Sequence, residues 1–191
     1  PVRNMKKIRF SLIMKSAAAV TTAITLLLLR WYLRQPESRL LVWVISFGTT
    51  AYHFIMRLAT GYLLLKLTRY DFDYRHVWFQ PRKWEAAFYK KLQVRKWKGK
   101  LPTYAPGQFS LEQQSLYRIL QNMCGAELVH EIIMVLSFLP LLAVPIWGEF
   151  WVFAITSLLA ALFDSIFVIA QRYNRPRLIR IYEKQEAIAR E

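Results

Sequence analysis

Residues 126–147 read AELVHEIIMVLSFLPLLAVPIW, and the fold follows from how this stretch is placed. From Leu128 to Trp147 it matches the roughly 20 residues needed to cross an apolar layer of about 30 Å. At its entrance Glu127 and His130 stand three apart on one helical turn, with Glu131 beside them. Ionisable groups are costly to keep at the edge of hydrocarbon, which marks this turn as a place for chemistry.

Working outward, three further stretches are apolar enough to span, at about 16–33, 40–65 and 150–170. The first is the weakest, and its Arg30 can snorkel toward the headgroups. These runs predict an all-α membrane protein of about four transmembrane helices and a single membrane domain over residues 1–191. Residues 66–126 are too polar to cross and too apolar to be disordered. They predict a basic, partly amphipathic helical cytoplasmic segment between spans two and three.

Charge agrees with this class. The chain has 191 residues, 55% hydrophobic, yet Lys and Arg total 27 against 12 Asp and Glu, a formal net charge of +15. So basic a soluble chain would suggest nucleic acid, but such a binder would not carry several membrane-length apolar runs. The expected partners are the lipid bilayer and a lipid substrate, with no nucleic acid. Basic residues crowd the N-terminal segment (Arg3, Lys6, Lys7, Arg9, Lys15), the middle segment and the tail (Arg172, Arg175, Arg177, Arg180). Positive-inside reasoning therefore places both termini and the middle segment in the cytoplasm. Arg30, Arg34 and Arg39, in the first connector, are the awkward exception. The single cysteine, Cys124, excludes an intrachain disulfide and reads as a packing residue. Pro1 in place of methionine predicts that the numbering begins inside a longer or processed chain. The first apolar run lacks a small-residue cleavage site, so it reads as an uncleaved anchor.

In the middle segment, Pro81 is placed to start a helix on which Trp84, Phe88 and Leu92 form an apolar stripe beside Lys83, Lys90, Lys91, Arg95 and Lys96. Gly99 and Pro102 should end it. Ser110 and Gln113 then suggest a capping box, followed by an apolar face of Leu116, Ile119, Leu120 and Met123 that leads toward span three.

His53, Arg57 and Asp164 fall inside other apolar runs. At about 1.5 Å per residue, His53 is about 18 Å, Arg57 about 12 Å and Asp164 about 9 Å from the cytoplasmic ends of their spans. Shared depth suggests that they and the Glu127–His130 turn line one polar cavity. Arg57 and Asp164 read equally as an interhelical ion pair that sets packing, His130 as a headgroup-layer histidine, and Glu131 as solvated at the interface.

A histidine beside a carboxylate is the minimum needed to take a proton from an alcohol. That makes His130 the candidate general base, Glu127 its orienting group, and Glu131, His53, Arg57 and Asp164 a supporting polar set. No serine-hydrolase elbow, P-loop or dinucleotide glycine fingerprint is present in the sequence. One Glu-x-x-His is only half of a carboxylate-bridged di-iron pattern, so no metal is expected. Lys96, Trp97, Lys98 and Lys100, with Arg172, Asn174 and Arg175, are candidates for holding donor phosphates or lipid headgroups.

Four segments resemble the glycosyl-4,4'-diaponeurosporenoate acyltransferase family of small bacterial membrane proteins. They are FYKKLQVRKWKGKLP at Phe88–Pro102, AELVHE at Ala126–Glu131, QRYNRPRL at Gln171–Leu178 and, more weakly, YHFIMRL at Tyr52–Leu58. The resemblance implies transfer of a fatty acyl group to a hydroxyl of a glycolipid or glycosylated carotenoid at the cytoplasmic face of the bacterial inner membrane. Acyl-CoA would be the co-substrate, with no tightly bound cofactor. Two rivals stay open from the residues: a methyltransferase resembling the isoprenylcysteine carboxyl methyltransferases and using S-adenosylmethionine, or a non-enzymatic lipid-binding protein.

Overall fold

The computed structural model describes residues 2–69 and 71–190, with side chains from residue 10 onward except those of residues 70 and 106. The N-terminal cluster Arg3, Lys6, Lys7 and Arg9 lies outside the described side chains. Among the described residues the chain is all-α, with no strand. Four helical stretches are long and apolar enough to cross a membrane: Phe10–Arg34, Ser38–Leu67, Leu116–Trp147 and Phe150–Ile188. The protein is a multi-pass membrane protein.

In chain order the α-helices are α1 (Val2–Arg34), α2 (Ser38–Thr68), α3 (Glu85–Lys91), α4 (Val94–Trp97), α5 (Leu116–Leu136), α6 (Val144–Trp147) and α7 (Phe150–Ile188). They build two compact units, Pro1–Leu63 with Ile132–Asp164, and Leu64–Glu131 with Ser165–Glu191.

The first unit packs through small and branched side chains. Ala18, Val44, Ile45, Ala51, Met56, Phe153, Ala160 and Ala161 are buried, and small residues let helices approach where no hydrophobic force drives them together in lipid. Six of its hydroxyls on the first two helices are satisfied locally. Thr21, Thr22, Thr25, Ser46, Thr49 and Thr50 each donate to a carbonyl four residues back, so none needs water in hydrocarbon. Tyr52 donates across to the Leu136 carbonyl at 2.8 Å, satisfying an acceptor that the end of α5 leaves without its helical donor.

The third apolar run is not one continuous α-helix. α5 stops at Leu136, a 3₁₀ turn follows over Leu139–Ala143, and α6 is four residues long. Pro140 and Pro145 lack the N–H that a helix interior requires. The connector to α7 is Gly148–Glu149, and Gly148 takes φ 69 and ψ −138, a backbone geometry almost restricted to glycine.

The second unit has an aromatic core of Phe72, Tyr74, Phe79, Leu120 and Cys124, with Leu65, Leu128, Leu178, Ile179 and Tyr182 against it. Here the structure differs from two local expectations. The stripe helix is interrupted at Gln93, which adopts left-handed φ 50, and α4 restarts at Val94. The break turns Val94 inward to full burial, while Trp84, Phe88 and Leu92 remain exposed. Nor do Ser110 and Gln113 start α5. Ser115 caps it, its hydroxyl accepting the Arg118 N–H at 3.2 Å, because residues 111–114 are occupied by turns. From there α5 runs without interruption into the apolar stretch.

Helix α7 has 39 residues, about 58 Å at 1.5 Å per residue, so it outruns an apolar layer of about 30 Å. Its polar half starts at Gln171, one residue before the first arginine of the site.

Candidate active site

The second unit is organised by a pair of arginines on α7. Arg172 and Arg175 are three apart, hence neighbours on one helical face. Glu127, on α5, is fully buried between them. Arg172 Nη1 donates to its Oε1 at 2.6 Å, and Arg175 Nη1 donates to its Oε2. A carboxylate so deeply buried is tolerable only when both oxygens are charged-hydrogen-bonded, as here.

Arg172 makes a second ion pair. Its Nε and Nη2 both donate to Glu85 Oε1, at 2.9 and 2.6 Å. Its remaining donors reach the Trp78 carbonyl at 3.1 Å and the Gln80 carbonyl at 3.0 Å. All five guanidinium N–H groups therefore have protein acceptors. Arg175 donates through Nε and Nη2 to the Phe79 carbonyl, at 3.2 and 2.6 Å, and its guanidinium lies 5.1 Å from the Phe79 ring centroid. The two arginines thus hold carbonyls of three consecutive residues, Trp78, Phe79 and Gln80, and fasten that strap to α5 and α7. Two cations face two carboxylates, so the cluster is neutral.

Glu85 has its other oxygen bonded by the Tyr89 hydroxyl at 2.9 Å. Burial, and secondly this bond to Glu85, push the Tyr89 phenol above its ordinary value. Sequence reasoning passed over Glu85. Its signal was its isolation, since it is the lone acid between Asp73 and Glu112 in a densely basic stretch.

His130 is one turn beyond Glu127 on α5. Its ring is half-buried and stacks flat on Phe167 of α7, with centroids 4.7 Å apart and planes 9° from parallel. Glu131 accepts a hydrogen bond from Trp78 Nε1 at 2.8 Å. The imidazole therefore has a fixed ring plane, next to a buried, charge-neutral frame.

The basic candidates of the middle segment divide. Lys98 donates to Asn174 Oδ1 and lies 4.6 Å from the Tyr173 ring centroid. Together with Arg95 and Arg177 these residues line a cavity of about 420 Å³. Trp97 Nε1 donates to the Leu92 carbonyl at 3.0 Å, while Lys96 and Lys100 are exposed. Tyr173 is held edge-on by Tyr89, at 5.8 Å between centroids, so one cavity wall leans on the Glu85–Tyr89 pair.

His53, Arg57 and Asp164 fall in the first unit. Arg57 donates to Asp164 Oδ2 from Nε at 2.9 Å and Nη2 at 2.5 Å, and to the carbonyls of His53 and Ala160 at 3.0 and 3.1 Å. His53 is buried, its ring edge-on to Tyr52, and neither ring nitrogen has a hydrogen-bond partner among the described residues. Among the described residues no three His, Cys, Asp or Glu side chains converge as metal ligands would.

The pattern of the glycosyl-4,4'-diaponeurosporenoate acyltransferase family matches residues 75–184. The chain belongs to that family. The matched stretch holds the whole Glu85–Glu127–Arg172–Arg175 cluster, His130 with Phe167, and the Lys98 cavity, and it leaves out α1 and α2. Membership in the glycosyl-4,4'-diaponeurosporenoate acyltransferase family makes the protein an acyltransferase and links it to carotenoid biosynthesis. No curated protein and no solved structure matches it.

Proposed function

We propose that the enzyme moves a fatty acyl group from acyl-coenzyme A to a hydroxyl of a glycolipid or glycosylated carotenoid-like acceptor, with His130 as general base. The observation that carries this reading is the His130–Phe167 stack, 4.7 Å and 9°, one turn from the buried Glu127 frame. A half-exposed imidazole with a fixed plane is suited to meet a hydroxyl; a histidine merely solvated among headgroups has no need of such a restraint.

The ring takes the proton of the acceptor hydroxyl as its oxygen attacks the thioester carbonyl. The tetrahedral intermediate collapses by breaking the carbon–sulfur bond, and the imidazolium returns its proton to the departing thiolate. No covalent acyl-enzyme is required. Glu127 acts by position: gripped by Arg172 and Arg175, it fixes the turn of α5 that carries the ring. A membrane location in a bacterial cell, with both termini on the cytoplasmic side, is favoured by the lysines and arginines that flank the spans.

The test uses purified protein in lipid nanodiscs with labelled long-chain acyl-coenzyme A and a mixed glycolipid pool, read by mass spectrometry. An acylated glycolipid formed by the wild type and lost in a folded His130→Ala variant is the expected result. Full turnover by that variant would remove His130 from the mechanism.

A further inference from the structure

The cavity lined by Arg95, Lys98, Tyr173, Asn174 and Arg177 brings three cations together with no carboxylate in its lining. We propose that it is a phosphate-binding site, which anchors the phosphorylated end of a substrate while the reacting end reaches His130.

The charge arrangement needs an anion. Elsewhere in this unit buried arginines are matched one for one by carboxylates, as Arg172 and Arg175 are by Glu85 and Glu127. Here, among the described residues, no carboxylate lines the cavity. Lys98 is partly buried, and its pKa is lowered from 10.5, first by burial and then by Arg177 and Arg95. Like charges held together in a partly desolvated recess are unfavourable until a counter-charge enters. A phosphate answers all three cations at once, and charged N–H to phosphate hydrogen bonds are among the stronger polar contacts.

The recess is also shaped. The Lys98 ammonium is positioned by Asn174 Oδ1 below and the Tyr173 face beside it, and Tyr173 is braced by Tyr89. Arg95 and Arg177 are exposed at the rim, where guanidinium forks can close on phosphate oxygens.

Placement connects this site to the reaction. Phe167, which supports His130, and Asn174 are seven residues apart on α7, so they share a face about 10.5 Å apart along the axis. A substrate whose phosphate sits beside Lys98 and whose reactive carbon or hydroxyl sits beside His130 would lie along one side of α7. Both a coenzyme thioester and a phospholipid have this build, a phosphate at one end and an acyl group at the other. This inference relies on the acyl-transfer reading only for the identity of the phosphate's carrier.

The experiment measures binding of adenosine 3',5'-bisphosphate, the phosphorylated end of coenzyme A, to the full chain in neutral phosphatidylcholine nanodiscs, and separately retention of phosphatidylglycerol from mixed nanodiscs by native mass spectrometry. Variants are Lys98→Gln, Arg177→Gln and their double, with Lys98→Arg and His130→Ala as controls. Loss of about tenfold in affinity for the bisphosphate per cation removed, with Lys98→Arg close to wild type, supports the site and assigns it to a soluble donor. Loss of retained phosphatidylglycerol in the double variant, without bisphosphate binding, supports the site and assigns it to a headgroup. Unchanged behaviour of both probes in the double variant overturns the proposal. His130→Ala should keep wild-type phosphate affinity; a wild type that binds phosphate but shows no acyl transfer would count against the acyl-transfer reading alone, and a wild type that transfers acyl groups with phosphate binding unchanged in the double variant would count against the phosphate site alone.

Discussion

Arg172 donates to Glu127 Oε1 at 2.6 Å, and the carboxylate it meets is fully buried, with Arg175 on its other oxygen. Removing that carboxylate leaves two guanidiniums facing each other with only Glu85 to balance them. Glu127→Ala should therefore destabilise the protein by about 3–5 kcal/mol, the usual cost of orphaning a buried ion pair. The paired change Glu127→Leu with Arg175→Leu keeps the cluster neutral through Arg172–Glu85 and should cost clearly less. Thermal unfolding in detergent reads both. A pair as damaging as the single change would mean that charge balance is not what holds this cluster.

Arg57 and Asp164 pose the same question in the first unit. Both Nε and Nη2 of Arg57 reach Asp164 Oδ2, within apolar helices. Arg57→Leu alone strands a buried carboxylate and should sharply reduce folded protein in membranes. Arg57→Leu with Asp164→Leu should recover most of it. Recovered fold with normal acyl transfer would make the pair a packing device; recovered fold without activity would give it a part in the reaction.

What could be read from the chain alone divides along the range of the physics involved. The four apolar spans were legible because hydropathy accumulates over about 20 residues and tolerates local error. Arg57 and Asp164 were suspected as partners, although 107 positions apart, because an isolated charge in hydrocarbon is so unfavourable that each implies the other. The Glu85–Glu127–Arg172–Arg175 cluster was not legible as a cluster. Its geometry depends on the strap at Trp78–Gln80, whose carbonyls take donors from both arginines, and backbone acceptors leave no mark in side-chain pattern. So Arg172 and Arg175 read as ligands for a phosphate, whereas their donors meet protein groups. The break at Gln93 was hidden for another reason: the stripe of Trp84, Phe88 and Leu92 ends just before it, and only the burial of Val94 shows why the chain turns.

Gly125 tests the packing of the second unit. A Cβ there would come within 2.7 Å of Phe72 Cε2, and Phe72 belongs to the buried aromatic core. Gly125→Ala should destabilise by about 1–3 kcal/mol through overpacking, despite the helix preference of alanine. Phe72→Leu in the same background should relieve part of the clash. If Gly125→Ala instead raises the melting temperature, α5 is not pressed against Phe72 as described.

Lys98 gives a prediction in pH. Its folded-state pKa lies below the ordinary 10.5, so between that lowered value and 10.5 the unfolded chain binds more protons than the folded one. Stability without ligand should then rise slightly as pH increases through this window. Phosphate binding should move the other way, because it needs the ammonium: affinity for adenosine 3',5'-bisphosphate weakens as pH rises through the lowered pKa. Arginine stays charged across this range. Lys98→Arg should therefore flatten the alkaline arm of the binding profile while leaving neutral-pH affinity near wild type. The check is a calorimetric titration at stepped pH on both proteins. An alkaline loss of equal size in Lys98→Arg would show that another group, not Lys98, carries the titration, and would separate this ammonium from the phosphate.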